Sequence, residues 1–328
     1  MRAWQVQGKG SPSDVLRMVE LDAPEPGPGM VRLDVAAAAI GFPDVLMCRG
    51  TYPLTPAGWF TPGQEVVGTV DAVGDGVDEA LVGQRVMGVT GFYLGHGGFA
   101  DQALAAAATL FSVPDEMDDA QAAAFTIAYH TGWIGLHTRG RVRPGETVVV
   151  LGAAGGSGAA AIQLAKVLEA TVIAVAGGPD KGAFCSALGA DVVIDHHSTD
   201  VTEALKEVTE GYGADVVFDP VGGEPALAVL GAMANEARHL LVGFASGTWA
   251  NPDPHAVAIG NYSLVGVYVG AYGKDELDEI HDLVLDRFSV GALPSIVTRT
   301  IELGELAEAI EDLEQRSAMG KTVVTIGD

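Results

Sequence analysis

The chain has 328 residues, of which 48% are hydrophobic and 19% charged, and its 43 acidic against 18 basic side chains give a formal net charge of −25. That length predicts two domains of roughly 100 to 200 residues each, and an apolar share of this size excludes wholesale disorder. Phosphate backbones are gripped by clustered Lys and Arg, which this sequence lacks, so no nucleic-acid partner is expected.

Two cysteines, Cys48 and Cys185, supply neither a disulfide framework nor a metal-ligand spacing. They suit a reducing cytoplasm, the expected location. Met1 to Gly8 has no apolar core of signal-peptide length, and no later stretch of about 18 apolar residues predicts a membrane span.

Up to about residue 110 the pattern is of short strands parted by Gly, Pro and Asp turns: Val31 to Ala37, Glu65 to Val73, Arg85 to Thr90 and Phe99 to Leu104. This predicts a β-rich domain. Asp115 to His137 is Ala-rich and predicts a helical connection, ended near Pro144-Gly145. From Thr147 the rhythm changes to apolar runs alternating with helix-period segments. The runs are Thr147 to Leu151, Thr171 to Ala176, Asp191 to Ile194, Asp215 to Asp219, Arg238 to Val242 and Ser263 to Val269. Runs so rich in Val, Ile and Leu are buried on both faces, which is the mark of a parallel sheet covered by helices. Ala161, Leu164, Ala165 and Leu168 supply one covering stripe, and Val201, Leu205 and Val208 another. The run Ser263 to Val269 is expected at the sheet edge, where unpaired N–H and C=O groups invite another chain. A helix over Glu276 to Arg287, the segment Leu293 to Thr300, a helix over Leu303 to Arg316 and a strand over Thr322 to Ile326 complete the chain. This tail is expected to rejoin the N-terminal domain.

The first parallel strand runs into Gly152-Ala153-Ala154-Gly155-Gly156-Ser157-Gly158. Such a loop turns tightly, lets backbone approach a pyrophosphate and lets the next helix pack on the sheet, while the helix N-terminus stabilises the phosphate charge. Gly155, Gly156, Ser157 and Gly158 are therefore candidate dinucleotide ligands in a Rossmann-type domain. The competing uses of the loop are plain strand–helix packing or another nucleotide-like ligand. An acid about 20 residues on would mark NAD. Here that place is Gly177-Gly178, and Lys181 follows within reach of a 2′-phosphate. NADP is favoured over NAD, with a solvated first-turn lysine as the alternative reading of Lys181.

Several further motifs accompany this loop: Gly50-Thr51-Tyr52-Pro53, Pro62-Gly63-Gln64-Glu65-Val66-Val67-Gly68, Val73-Gly74-Asp75-Gly76-Val77, Gly83-Gln84-Arg85-Val86, Gly97-Gly98-Phe99-Ala100, Ile162-Gln163-Leu164-Ala165-Lys166 and the ending Gly320-Lys321. With them the chain resembles, nearly end to end, the zinc-independent quinone oxidoreductase branch of the medium-chain dehydrogenase/reductase superfamily. The resemblance implies an α/β fold: a GroES-like β-rich catalytic domain at 1–122 and 270–328, plus an NADP-binding Rossmann domain at 123–269 with a doubly wound parallel six-stranded sheet. It further implies an active site in the cleft between the domains and a homodimer through the edge strand 263–269.

Zinc-using relatives place a Cys in the segment that here reads Gly41-Phe42-Pro43-Asp44, and a His where this chain has Gln64. A tetrahedral zinc site is not expected. Without a Lewis acid the chemistry shifts toward NADPH-dependent reduction of a quinone or α,β-unsaturated carbonyl, whose π-system spreads the incoming charge. By resemblance Asp44 and Tyr52 are catalytic candidates, and Gly41, Phe42, Ile127 and Tyr129 line the substrate pocket. Gly178, Lys181 and His196 hold the adenosine side of the cofactor, and Val242, Gly243, Phe244 and Ser246 the nicotinamide side. The alternative reading of Asp44 is a helix cap, of Tyr52 turn packing and of His196-His197 a solvated loop. His130 reads as a packing residue rather than a base. Gly41 stands where relatives carry Asn and Ile127 where they carry Thr, which makes the pocket beside Phe42 less polar. An enone or enoyl thioester then suits it better than a small quinone. An enoyl reductase of a biosynthetic pathway, and a non-catalytic NADP-binding protein, are the alternative functions.

Overall fold

A computed structural model describes residues 1–327. The chain divides into two compact units, one comprising 1–127 and 295–328, the other 128–294. The first opens with an antiparallel pair, β1 (Arg2–Val6) and β2 (Leu16–Glu20). It continues with β3 (Met30–Ala39), β4 (Glu65–Val73), β5 (Arg85–Thr90) and β6 (Gln102–Ser112). These four pair antiparallel in series, and β6 returns to Met30–Asp34 of β3, so they close on themselves. Closure removes the exposed edges that such strands would otherwise present. Val31, Leu33, Val66, Val70, Phe99 and Ala103 belong to the buried cluster of this unit.

The second unit carries β7 (Thr147–Leu151), β8 (Thr171–Ala176), β9 (Val192–Asp195), β10 (Ala214–Asp219), β11 (Met233–Leu241) and β12 (Ser263–Gly266). All pair parallel, in the order β12-β11-β10-β7-β8-β9. This is the expected doubly wound six-stranded sheet, and β12 lies at its edge. The strand order reverses between β7 and β10, and ligands of such sheets sit outside the carboxyl ends of the strands at that reversal. The chain re-enters the first unit at Ser295, where β13 (Val297–Glu302) pairs parallel with β14 (Lys321–Thr325) and β14 pairs antiparallel with β3.

The helical connection expected over Asp115 to His137 is present, in three pieces: Asp119–Ala123, Thr126–Trp133 and a π-helical Ile134–Arg139. At the start of the second piece the Ile127 N–H, which has no partner within its own helix, donates to Glu65 Oε1 at 2.6 Å. The strand expected over Ser263 to Val269 ends at Gly266, and the chain then turns through a short 3-10 segment at Val269–Ala271. The helix Lys274–Ser289 lies in the second unit, where its His281 meets His130. Among the described residues no helix is long and apolar enough to cross a membrane.

Candidate functional site

In the second unit, β7 leads through Gly152 to the helix Gly156–Val167, whose N-cap is Gly155 with no side-chain cap. With no capping side chain, the first N–H groups of that helix are open to an anion. Gly158 is buried because the helix lies directly on the loop. A Cβ there would stand 2.5 Å from Gly152 O and 2.7 Å from Ala153 Cα, both backbone, so only glycine fits. The loop after β10 completes the rim. Asp219 Oδ1 accepts from Val221 N at 2.9 Å and Gly222 N at 2.8 Å, while its Oδ2 lies 2.9 Å from His239 Nε2.

Val242, Gly243, Phe244 and Ser246 follow β11 and are half-buried. Their backbone is laced to the β10 loop: Val242 N and Gly243 N donate to Asp219 O at 3.0 and 3.1 Å, and Ser246 N donates to Val221 O at 2.8 Å. Phe244 stacks at a tilt on Trp249, with ring centroids 4.8 Å apart. The structure thus gathers these residues beside the reversal in strand order.

After β8, Gly178 caps the helix Pro179–Ala187, which carries Lys181 in its first turn. The Gly178 N–H donates to Asp195 Oδ1 at 3.0 Å, and His197 N donates to the same oxygen at 2.9 Å. Those two backbone donors hold the Asp195 carboxyl below its ordinary range. His196 and His197 are exposed and lie against Gly177, where a Cβ would stand 2.9 Å from His196 Nε2. Gly178, Lys181 and His196 therefore share one corner at the ends of β8 and β9. Asp195, absent from the expected residues, is what organises it. Its signal was an acid ending the run Val192-Val193-Ile194.

Tyr129, expected to line the pocket, is buried, and its hydroxyl donates to Gln163 Oε1 at 2.8 Å. Gln163 Nε2 in turn donates to Pro294 O at 2.9 Å. Burial pushes the Tyr129 phenol well above its ordinary range. Tyr129 thereby fixes the helix that starts at the glycine loop. His130, beside it, is also buried and sits 3.0 Å from His281 Nδ1.

In the first unit, Gly41 caps the helix Phe42–Arg49 and Asp44 occupies its third position. The Asp44 carboxylate is buried with both oxygens engaged, Oδ2 accepting from Gly41 N at 2.9 Å and Oδ1 from Gly63 N at 3.0 Å. Burial pushes its pKa up to about 6, against the pull of those two N–H groups and of Lys321. This geometry supports the capping alternative: the side chain ties two turns together. The adjacent Glu65 is buried too. Its Oε2 accepts from Lys321 Nζ at 2.8 Å and its Oε1 from Ile127 N. Tyr52 is half-buried, its ring 6.2 Å from Phe92, and Phe42 packs on the core of this unit. The structure brings Gly41, Phe42, Asp44 and Ile127 together through Gly63 and Glu65, whereas Tyr52 stands on the Phe92 side. Glu65 and Lys321 stand in two of the motifs given above, but no local pattern joins residues 256 apart in sequence.

Among the described residues no three His, Cys, Asp or Glu side chains are grouped so as to hold a metal ion. Residues 27–115 match the alcohol dehydrogenase GroES-like domain, and residues 156–286 match the domain described as zinc-binding dehydrogenase. The chain is 33% identical over 302 residues to quinone oxidoreductase-like protein 2 homolog of Nematostella vectensis, covering 91% of this chain and 82% of that protein. It superposes on Escherichia coli quinone oxidoreductase complexed with NADPH with TM-score 0.91 and 25% identity, covering 99% of this chain and 100% of that one. It is also 38% identical over 211 residues, 64% of this chain, to a phenolphthiocerol/phthiocerol polyketide synthase component of Mycobacterium tuberculosis, of which that stretch spans 9%. The chain belongs to the quinone oxidoreductase branch of the medium-chain dehydrogenase/reductase superfamily, and is an oxidoreductase of that family.

Proposed function

We propose that the protein is a zinc-independent NADPH-dependent reductase of conjugated carbonyl compounds or quinones. The observation that carries the reading is the glycine loop: backbone contacts under 3 Å force glycine at position 158, so the helix start lies bare at the switch point of the sheet. Gly155, Gly156, Ser157 and Gly158 would hold the pyrophosphate. Gly177-Gly178 puts no acid at the end of β8, the Asp195 carboxylate nearby is engaged by the Gly178 and His197 N–H groups, and Lys181 and His196 share that corner, so a 2′-phosphate is the better guest. Val242, Gly243, Phe244 and Ser246 would border the nicotinamide. Each turnover would move one hydride from the reduced nicotinamide to the acceptor, leaving NADP+, with a solvent proton completing the product.

The chain's own part is positioning. Tyr129 and Gln163 fix the helix behind the phosphate loop, while Asp44 and Glu65 fix the turns that carry Gly41, Phe42 and Ile127. Small and aliphatic groups at 41 and 127 favour an apolar acceptor, with Tyr52 as a flanking aromatic. The likeness to a polyketide synthase favours one second reading, reduction of an enoyl thioester. The exposed edge strand β12 and the largely exposed helix Pro254–Gly260 beside it support a homodimer.

Titration with NADPH and NADH, followed by NADPH oxidation with quinones, enones and enoyl thioesters, tests the proposal. Tighter NADPH binding and turnover on one class support it. Tight binding with no turnover on any class would leave a cofactor-binding protein without this activity.

A further inference from the structure

Gln64 lies between two anchored residues. Gly63 before it gives its N–H to Asp44, whose other oxygen holds Gly41 at the start of the Phe42 helix. Glu65 after it holds the Ile127 N–H and is itself held by Lys321. The two segments that carry Gly41, Phe42 and Ile127 are thus tied to the immediate neighbours of one side chain. That side chain is only 8% exposed, and its amide Nε2 has no hydrogen-bond partner. A second buried donor precedes Ile127 in the chain: Thr126 is 2% exposed and its hydroxyl is also without a partner. Buried donors are almost always satisfied, by protein, ordered water or a ligand. Both are donors left open for an acceptor atom, and the Gln64 amide is the one set between the anchors of Gly41, Phe42 and Ile127.

We infer that the Gln64 amide donates a hydrogen bond to the carbonyl or quinone oxygen of the acceptor, which makes Gln64 a specificity-determining residue. The inference rests on the functional reading above. An amide N–H strengthens its bond as negative charge grows on that oxygen, so its effect falls on the reduction step as well as on binding. It also supplies a polar contact to the less polar pocket left by Gly41 and Ile127. The acceptor class this selects presents a hydrogen-bonding carbonyl oxygen conjugated to an otherwise apolar body.

The test compares Gln64→Met and Gln64→Glu, both close to glutamine in size and both lacking the amide donor, with the unaltered chain. NADPH affinity, kcat and KM for the best acceptor, and thermal midpoint are measured for each. The expected result is a fall in kcat/KM of about 10- to 100-fold with unchanged NADPH affinity, and a midpoint for Gln64→Met equal to or above that of the parent, because an orphaned buried donor has been removed. Unchanged kcat/KM with a lowered midpoint would overturn the inference in favour of a structural water held by Gln64 and Thr126, while the functional reading stands. Absence of NADPH oxidation by the unaltered chain on any acceptor would overturn both.

Discussion

His130 Nε2 lies 3.0 Å from His281 Nδ1, with the two rings edge to face and both buried. One ring donates to the other, and burial disfavours adding a charge to the pair. Burial, with help from His281 and Lys274, lowers the His130 pKa to about 3 from an ordinary 6.5.

The sign of the resulting pH dependence follows directly. Between pH 6.5 and about 3 the unfolded chain holds a proton that the folded pair refuses, so stability is fully present above 6.5 and is lost as pH falls. The loss at pH 5 is about 2 kcal/mol. Asp44, raised to about 6 by burial, acts in the opposite sense over part of this range. Thermal midpoints across pH 4 to 8 should therefore be compared between the parent and the double variant His130→Leu/His281→Leu. The variant is expected to lose less stability on acidification, and parallel curves would contradict the assignment.

Glu65 and Lys321 form a buried ion pair at 2.8 Å that also holds Ile127. Removing one member leaves a buried charge without its partner. Lys321→Met is expected to cost about 3–5 kcal/mol, and the double change Glu65→Gln/Lys321→Met to recover a large part of it. Urea unfolding of both variants measures the difference. Equal losses would show that the pair carries no net coupling.

Gly158 has no room for a methyl group against Gly152 O and Ala153 Cα. Gly158→Ala should push the helix Gly156–Val167 off its strand at a cost of about 1–3 kcal/mol. It should weaken NADPH binding by more than it weakens folding, because the phosphate loop moves with the helix. Fluorescence titration beside a melting curve separates the two effects.

How much of this was legible beforehand differs by element for physical reasons. The strands of the second unit are rich in Val, Ile and Leu, which favours burial on both faces, and β7 to β10 matched within one residue, whereas β11 begins at Met233 rather than Arg238 and β12 ends at Gly266. The pair β1 and β2 went unseen because Arg2–Val6 buries only Ala3 and Val6. β6 runs on to Ser112 through Ala103, Ala105, Ala106, Ala107 and Ala108, a poor strand sequence that is held by ladders to β3 and β5. At the candidate site, the glycine loop was readable because its chemistry is local. Asp195 to Gly178, Asp219 to His239 and Glu65 to Lys321 were not, since each joins elements far apart in sequence.

Gly41 gives the most direct test of the acceptor pocket. Its backbone, at φ −125° and ψ 160°, suits any L residue, and a Cβ there would meet only Pro43 Cδ at 3.3 Å and Asp44 Oδ2 at 3.8 Å. Gly41→Asn should therefore fold with a stability change within about 1 kcal/mol. The new amide restores a polar group of the kind the resemblance places at this position, so it should lower KM for a small polar quinone and raise it for an apolar enone, by several-fold each. A panel of two such acceptors at saturating NADPH measures the shift as a ratio of kcat/KM values. An unchanged ratio in a stable variant would mean that position 41 does not face the acceptor, and the pocket would then have to be drawn without it.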